Sequence, residues 1–146
     1  ELLDLVDNSD FIFILETNGM TLGHDSNFAK ELSKFKNLHV RISIKGTNKN
    51  EYVQLTGAIS SSYDLPYKAI KHLISAEVSC NACIMISFSS PDNIKKAEKK
   101  LTLIRPGLLK SLEKRNNLRE QVIYAIFQLV QYNINAKTVV DKKCNR

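Results

Sequence analysis

Short apolar runs alternate along the chain with segments in which apolar residues recur every three or four positions. The run FIFIL at residues 11–15 is typical of a strand buried on both faces. Residues 38–46, LHVRISIKG, alternate apolar and polar side chains, and NACIMISF at 81–88 has the same character. A last strand is predicted over INAKTVV at 134–140. The pattern therefore predicts four strands.

The segments between these strands have the periodicity of amphipathic helices. Five helices are predicted, at residues 24–35, 48–57, 64–76, 90–104 and 117–131. Capping signals support two of the starts. Asn48 and Glu51 have the spacing of a capping box, and Pro91 stands at a favoured first helical position after Ser90. Gly57 suits a left-handed helix end.

The order of these elements predicts the fold class. Strands separated by helices favour a parallel sheet with right-handed crossovers. Four such units make about half of a (β/α)8 barrel, or an open doubly wound sheet. We expect an α/β fold with a single domain over residues 1–146, in which residues 110–146 form an extension that follows the pattern least.

Alternation along the strands assigns side chains to the two faces of the sheet. The apolar positions are expected to pack against helices. The opposite face receives the remaining positions, which are Ile12, Ile14, Glu16, Asn18, Arg41, Ser43, Lys45, Cys83, Met85, Ser87 and Ser89. Ligands of parallel sheets bind outside the carboxyl ends of the strands, so this face predicts a polar small-molecule site. The alternative is a structural network in which Glu16 pairs with Lys45 or Arg41.

Charge and composition narrow the function classes. The net charge is +6 and the pI about 9.2, and many of the lysines lie in KKAEKK at 95–100. A solvated helix face explains these lysines better than a nucleic-acid surface does, because no aromatic residues interleave with them. No apolar run approaches the roughly 20 residues that span a bilayer. Three cysteines without a disulfide pattern predict a reducing, cytoplasmic location.

The familiar catalytic and metal-binding motifs are missing from the sequence. It contains no G-x-G-x-x-G, no P-loop, no H-E-x-x-H and no G-x-S-x-G. Cys80-x-x-Cys83 has the spacing of a redox or zinc motif, but it sits at a predicted helix–strand junction. Buried packing cysteines are therefore the favoured interpretation, and no metal ligand is predicted in this chain.

Four segments together resemble a known family. They are ETNG at 16–19, SIK at 43–45, LPYKAIKHLISAEVS at 65–79 and CIMISFSSP at 83–91. In order and spacing, residues 8–110 resemble the radical S-adenosylmethionine (SAM) superfamily, in the branch related to the archaeal-type pyruvate formate-lyase activating enzyme. The resemblance implies a partial (β/α) barrel of about four parallel strands with helices on the outer face. It also implies SAM and a [4Fe-4S] cluster as cofactors.

The resemblance assigns SAM contacts to seven residues, which are Glu16, Thr17, Asn18, Ser43, Lys45, Met85 and Ser87. Glu16 and Thr17 match an acid and a hydroxyl that lie beside SAM in the family. Ser43 matches a position near the ribose. Lys45 matches a lysine that meets the SAM carboxylate or ribose. The last two residues lie on a strand that approaches the adenine. No catalytic residue is assigned to this chain.

The hallmark C-x-x-x-C-x-x-C of the family does not occur in this sequence. We therefore expect the cluster-binding loop to belong to a missing N-terminal part of the same protein. That part would be the partner of this chain, which would be a fragment of a radical SAM oxidoreductase, inert alone. The substrate is not predicted.

Two alternatives to an enzyme fragment stay open. One is a degenerate, non-enzymatic barrel that binds a nucleotide-like ligand or RNA through its basic surface. The other is a fragment whose polar residues form only a structural ion-pair network. A half barrel also exposes a strand edge, so self-association through that edge is predicted. No association with membranes is expected.

Overall fold

A computed structural model describes Leu3 and residues 11–116. The chain divides into two compact units, residues 1–115 and 116–146, and the elements named here belong to the first. Its strands are β1 (Phe13–Thr17), β2 (Leu38–Lys45), β3 (Ser79–Met85) and β4 (Glu113–Arg115). Its α-helices are α1 (Met20–His24), α2 (Asn27–Leu32), α3 (Lys49–Thr56), α4 (Leu65–Ser75) and α5 (Pro91–Ile104). Short 3-10 helices occupy Ser60–Asp64 and Pro106–Ser111.

The four strands form one sheet in the order β1-β2-β3-β4, and every neighbouring pair is parallel. This arrangement confirms the predicted α/β fold with a sheet of four parallel strands. Sequential order without a reversal is also the order found in a (β/α) barrel. Among the described residues, no helix is long and apolar enough to cross a membrane.

The fourth strand differs from the predicted one. It occupies residues 113–115, whose sequence Glu-Lys-Arg has no apolar alternation to indicate a strand. The structure forms it through pairing with β3, where Cys83 is the partner of Glu113 and Met85 of Arg115. The predicted helix at 117–131 and the predicted strand at 134–140 lie outside the described residues.

Two element boundaries also differ from prediction. The helix predicted at 24–35 is two short helices, and the first begins directly after Gly19. Gly19 has a φ of 72°, and the Asn18 side chain accepts a hydrogen bond from the Met20 N–H at 3.1 Å. These two residues turn the chain from β1 into α1. The third strand ends at Met85 rather than at residue 88, so Ser89 lies beyond the sheet and not on its polar face.

The hydrophobic core lies between one face of the sheet and the helices. On β2 the side chains of Leu38, Val40, Ile42 and Ile44 are at most 3% exposed, and the positions between them are only half-buried. Helix α4 supplies the largest helical share of the core. Its buried residues are Pro66, Tyr67, Ala69, Ile70 and Leu73. The apolar positions predicted from alternation on β2 are confirmed.

Helix α4 ends in a Schellman motif that carries a non-glycine residue. The Val78 N–H donates to the Leu73 carbonyl at 2.9 Å, and the Glu77 N–H donates to the Ile74 carbonyl at 3.1 Å. Glu77 occupies the left-handed position with a φ of 58°. Glycine is the usual residue there, because a Cβ atom makes this conformation unfavourable.

We expect Glu77→Gly to stabilise the fold by about 0.5–1 kcal/mol. The removal of left-handed strain, worth about 1–2 kcal/mol, is partly offset by the greater freedom of glycine in the unfolded chain. Urea unfolding of the full chain measures the effect. Glu77→Ala is the matched control, since it removes the carboxylate but keeps the Cβ atom. Equal stabilisation by both variants would contradict the backbone explanation.

Candidate functional site

The face of the sheet opposite the core carries four rows of side chains, which we call the polar face. Strand register aligns residues of neighbouring strands into these rows. From the amino end to the carboxyl end of the sheet the rows are Ile14-His39-Ser79, Glu16-Arg41-Asn81, Ser43-Cys83-Glu113 and Lys45-Met85-Arg115. The last row ends three adjacent strands, and two of its three members are cations.

An ion-pair network crosses the centre of the polar face. Arg41 Nη1 lies 3.3 Å from Glu16 Oε2, and Arg41 Nε lies 3.1 Å from Glu113 Oε1. The buried Nε–H is close to that oxygen without the alignment of a hydrogen bond. Arg115 Nη1 lies 3.7 Å from Glu16 Oε1, and Arg115 Nη2 lies 3.5 Å from Glu113 Oε2. The predicted pairing of Glu16 with Arg41 is thus present.

The contact between Glu16 and Arg115 bears on the shape of the sheet. These residues lie on β1 and β4, which are three strand spacings apart, about 14 Å in a flat sheet. Side chains stand roughly perpendicular to a sheet. Contact between its two outer strands therefore indicates that the polar face is concave, as the interior of a partial barrel is.

Lys45 is the polar-face cation without a partner among the described residues. It is half-buried at the last position of β2, and neither a hydrogen bond nor an ion pair to another described residue involves its ammonium group. Met85 is its direct neighbour on β3 and is 9% exposed. Ser43 lies two residues earlier on the same strand and the same face. An unpaired ammonium group, a hydroxyl and a thioether thus meet at the carboxyl end of the sheet.

The structure does not bring all seven predicted residues together. Thr17 is on the opposite face from Glu16, and its Oγ1 accepts a hydrogen bond from the Gly19 N–H at 3.2 Å. Thr17 lines an apolar cleft of about 230 Å³ beside β1, together with Leu15, Thr21, Leu22, Phe28, Glu31 and Leu32. Asn18 is exposed and engaged in the turn into α1. Ser87 lies in the turn after β3. Glu16, Ser43, Lys45 and Met85 share the polar face.

Glu51, on helix α3, organises the loops at the carboxyl end of the sheet. Its Oε2 accepts from the Thr47 N–H at 2.7 Å, the Thr47 hydroxyl at 2.8 Å and the Ser89 hydroxyl at 2.6 Å. Its Oε1 accepts from Asn48 Nδ2 at 2.6 Å and Asn93 Nδ2 at 3.3 Å. One carboxylate therefore joins the loop after β2 to the loop after β3.

The five hydrogen bonds also set the ionisation of Glu51. Burial raises the pKa of this carboxyl, but the hydrogen bonds from Ser89, Thr47 and Asn93 outweigh burial and leave the pKa below its usual value. The sequence indicated Glu51 only as part of a capping box with Asn48. The Asn48 side chain does accept from the Glu51 N–H at 3.0 Å, as that motif predicts. Ser89 and Asn93 are distant in sequence, so nothing in the local pattern could reveal them.

The two described cysteines do not form a redox or metal site. Cys80 faces the helices and belongs to the core, whereas Cys83 is on the polar face. Residues three apart on one strand point to opposite faces. Both thiols are free and buried, and burial raises the pKa of each. Within the described part of the chain, no three His, Cys, Asp or Glu side chains are placed to hold a metal ion.

No family model, curated protein or solved structure matches this chain. A functional assignment therefore depends on the geometry of the polar face and on the sequence motifs.

Proposed function

We propose that this chain is the SAM-binding part of a radical SAM oxidoreductase of the activating-enzyme type. SAM would bind at the carboxyl end of the polar face, with its amino acid group toward Lys45. The observation that carries the proposal is the half-buried Lys45 ammonium, which has no partner among the described residues and lies beside Ser43 and Met85. A cation held this way on a rigid strand is suited to a ligand carboxylate.

The residues of the polar face fit SAM in part. Lys45 can bind the carboxylate, Ser43 offers a hydroxyl to the ribose, and Met85 offers an apolar surface to the adenine. Glu16 is already paired with two arginines, so we assign it to holding Arg41 and Arg115 in place rather than to SAM. Thr17 faces the helices and is not part of the proposed site.

The described residues do not fit a [4Fe-4S] cluster. Such a cluster needs three thiolates that converge on one site, and Cys80 and Cys83 are buried on opposite faces of one strand. We therefore assign SAM binding, and not cluster binding, to this part of the protein. We also propose a cytoplasmic location, which the free thiols support.

Loss of the Lys45 charge is expected to weaken SAM binding at least about tenfold. A hydrogen bond to a charged group contributes about 1.5–3 kcal/mol, and about 1.4 kcal/mol corresponds to a factor of ten in Kd. Lys45→Met removes the ammonium group and keeps the apolar stem. Isothermal titration of the full chain with SAM measures the change. Lys71→Met, at an exposed position of α4, is the matched control.

Adenosine is the second ligand in this experiment, because it has no carboxylate. We expect adenosine to bind the wild-type chain more weakly than SAM does, and to be insensitive to Lys45→Met. Equal SAM affinity of the wild type and Lys45→Met would contradict the assigned role of Lys45. Absence of SAM binding to the wild-type chain would contradict the proposal itself.

A further inference from the structure

Three side chains at the amino end of the polar face form a hydrogen-bonded chain. Ser79 Oγ lies 2.8 Å from His39 Nδ1, and His39 Nε2 lies 3.0 Å from Asn81 Oδ1. Ser79 is exposed at the first position of β3, directly opposite His39 on β2. The arrangement contains a hydroxyl, an imidazole that can act as a base, and a third group that orients the imidazole.

The surroundings of Asn81 determine which nitrogen of His39 carries the proton. Asn81 Nδ2 donates to the Ser111 carbonyl at 3.1 Å and to Glu113 Oε1 at 2.9 Å, and both partners are acceptors. The amide oxygen of Asn81 must therefore face His39 Nε2, which donates to it. In the neutral imidazole the lone pair is then on Nδ1, where it accepts the proton of the Ser79 hydroxyl.

The orienting group is itself held firmly. Asn81 is 7% exposed, and its partner Glu113 is paired with Arg41 and Arg115. The hydrogen bond from Asn81 lowers the pKa of Glu113, and both arginines act in the same direction. Glu113 therefore stays an acceptor at neutral pH, which keeps the Asn81 amide in the orientation that His39 requires.

We propose that Ser79 is an activated nucleophile that accepts an acyl or phosphonyl group from an activated ester, with His39 as its general base. Nucleophile, base and orienting group are each within hydrogen-bond reach of the next, which is the arrangement that activates a serine. Asn81 is a positioning residue, since it acts only through His39. The site is separate from the proposed SAM site, because Lys45 lies at the other end of the same sheet.

The first step is written for an ester as the acyl donor. Ser79 Oγ attacks the carbonyl carbon while His39 Nδ1 takes the hydroxyl proton. The carbon–oxygen bond to the alcohol breaks, and the departing alkoxide takes the proton from His39 Nδ1. The products are the Ser79 ester and a free alcohol. Water then releases the acid by the same proton transfers. With a fluorophosphonate the leaving group is fluoride, and the phosphonyl–serine bond persists.

A fluorophosphonate probe tests the proposal on the full chain. We expect labelling of Ser79, located by peptide mapping with mass spectrometry. Ser79→Ala should abolish this label, and His39→Gln should slow its formation at least about 100-fold, as loss of a general base does. Ser33→Ala is the matched control, since the Ser33 hydroxyl is exposed and donates to a backbone carbonyl rather than to an imidazole. Its labelling rate should equal that of the wild type.

Mapping of the wild-type chain keeps the test independent of how well the variants fold. Absence of label at Ser79 in the wild type, or labelling of Ser33 at the same rate as Ser79, would overturn the proposal. So would an unchanged rate in a His39→Gln variant whose circular dichroism matches the wild type. Asn81→Asp adds a check on positioning, because a carboxylate can accept the same hydrogen bond from His39; we expect it to retain at least about a tenth of the labelling rate.

Discussion

Gly23→Ala is expected to destabilise the fold by about 3 kcal/mol or more, since overpacking a rigid contact costs about 1–3 kcal/mol and occasionally more. Gly23 lies in α1 where that helix packs against the start of α4. A Cβ atom at this position would be 2.1 Å from the Leu65 carbonyl oxygen and 2.7 Å from the Leu65 carbonyl carbon. Both are backbone atoms, so no side-chain rotation relieves the clash and the two helices must separate.

Two other glycines provide controls for this prediction. A Cβ atom added at Gly107 would have no atom within 4 Å, and Gly107 has no positive φ, so Gly107→Ala should change the stability by less than about 0.5 kcal/mol. Gly57 also has open space but a φ of 70°, so Gly57→Ala should cost about 1 kcal/mol from strain alone. Urea unfolding ranks the three variants. A Gly23→Ala variant as stable as Gly107→Ala would contradict the close approach of α1 to α4.

Glu51→Ala is expected to destabilise the fold by about 2–4 kcal/mol. The carboxylate accepts five hydrogen bonds, and its removal leaves donors from two loops without partners. An unsatisfied buried donor costs about 1–3 kcal/mol, and water can reach part of this half-buried site, which reduces the sum. The matched control is Glu31→Ala, because Glu31 makes an exposed ion pair with Lys34 at 3.2 Å. That variant should lose less than about 1 kcal/mol.

Acid also tests the role of Glu51. Because its pKa is lowered in the folded protein, the folded state binds a proton less readily than the unfolded state does. The resulting stabilisation is present above the ordinary pKa of 4.5 and is lost as the pH falls through the lower folded value. Glu51→Gln should therefore reduce the stability at pH 7 and flatten its fall on acidification. A parallel loss of stability in both proteins as the pH falls would contradict this role.

The periodic part of the fold was predictable from the sequence, and the part formed by pairing was not. Alternation on β2 is regular, so the core positions Val40, Ile42 and Ile44 followed from it. Strand β4 is three charged residues long, and its conformation depends on the edge of β3 that it pairs with. Helix α1 was missed because Gly19, interpreted as a turn after β1, also begins a helix.

The candidate site shows the same division. Placing Ser43 and Lys45 on one face needed only the two-residue period of a strand. That period also puts Glu16 and Thr17 on opposite faces, so the two neighbours cannot share one site on the sheet. The convergence of Arg41 and Arg115 on Glu16 and Glu113 depends on β4 and on the concave sheet, which no local pattern reveals.

The central claim is that SAM binds at the carboxyl end of the polar face. The chain contains two methionines, Met20 and Met85, so methyl-labelled methionine gives two NMR signals from opposite sides of the sheet. Met20 lies on the helix side, where its sulfur is 3.9 Å from the Tyr52 hydroxyl, and Met85 is beside Lys45. Met20→Leu assigns the signals. We predict that titration with SAM shifts the Met85 methyl signal and leaves the Met20 signal in place. A shift of Met20 alone, or no shift at saturating SAM, would contradict this claim.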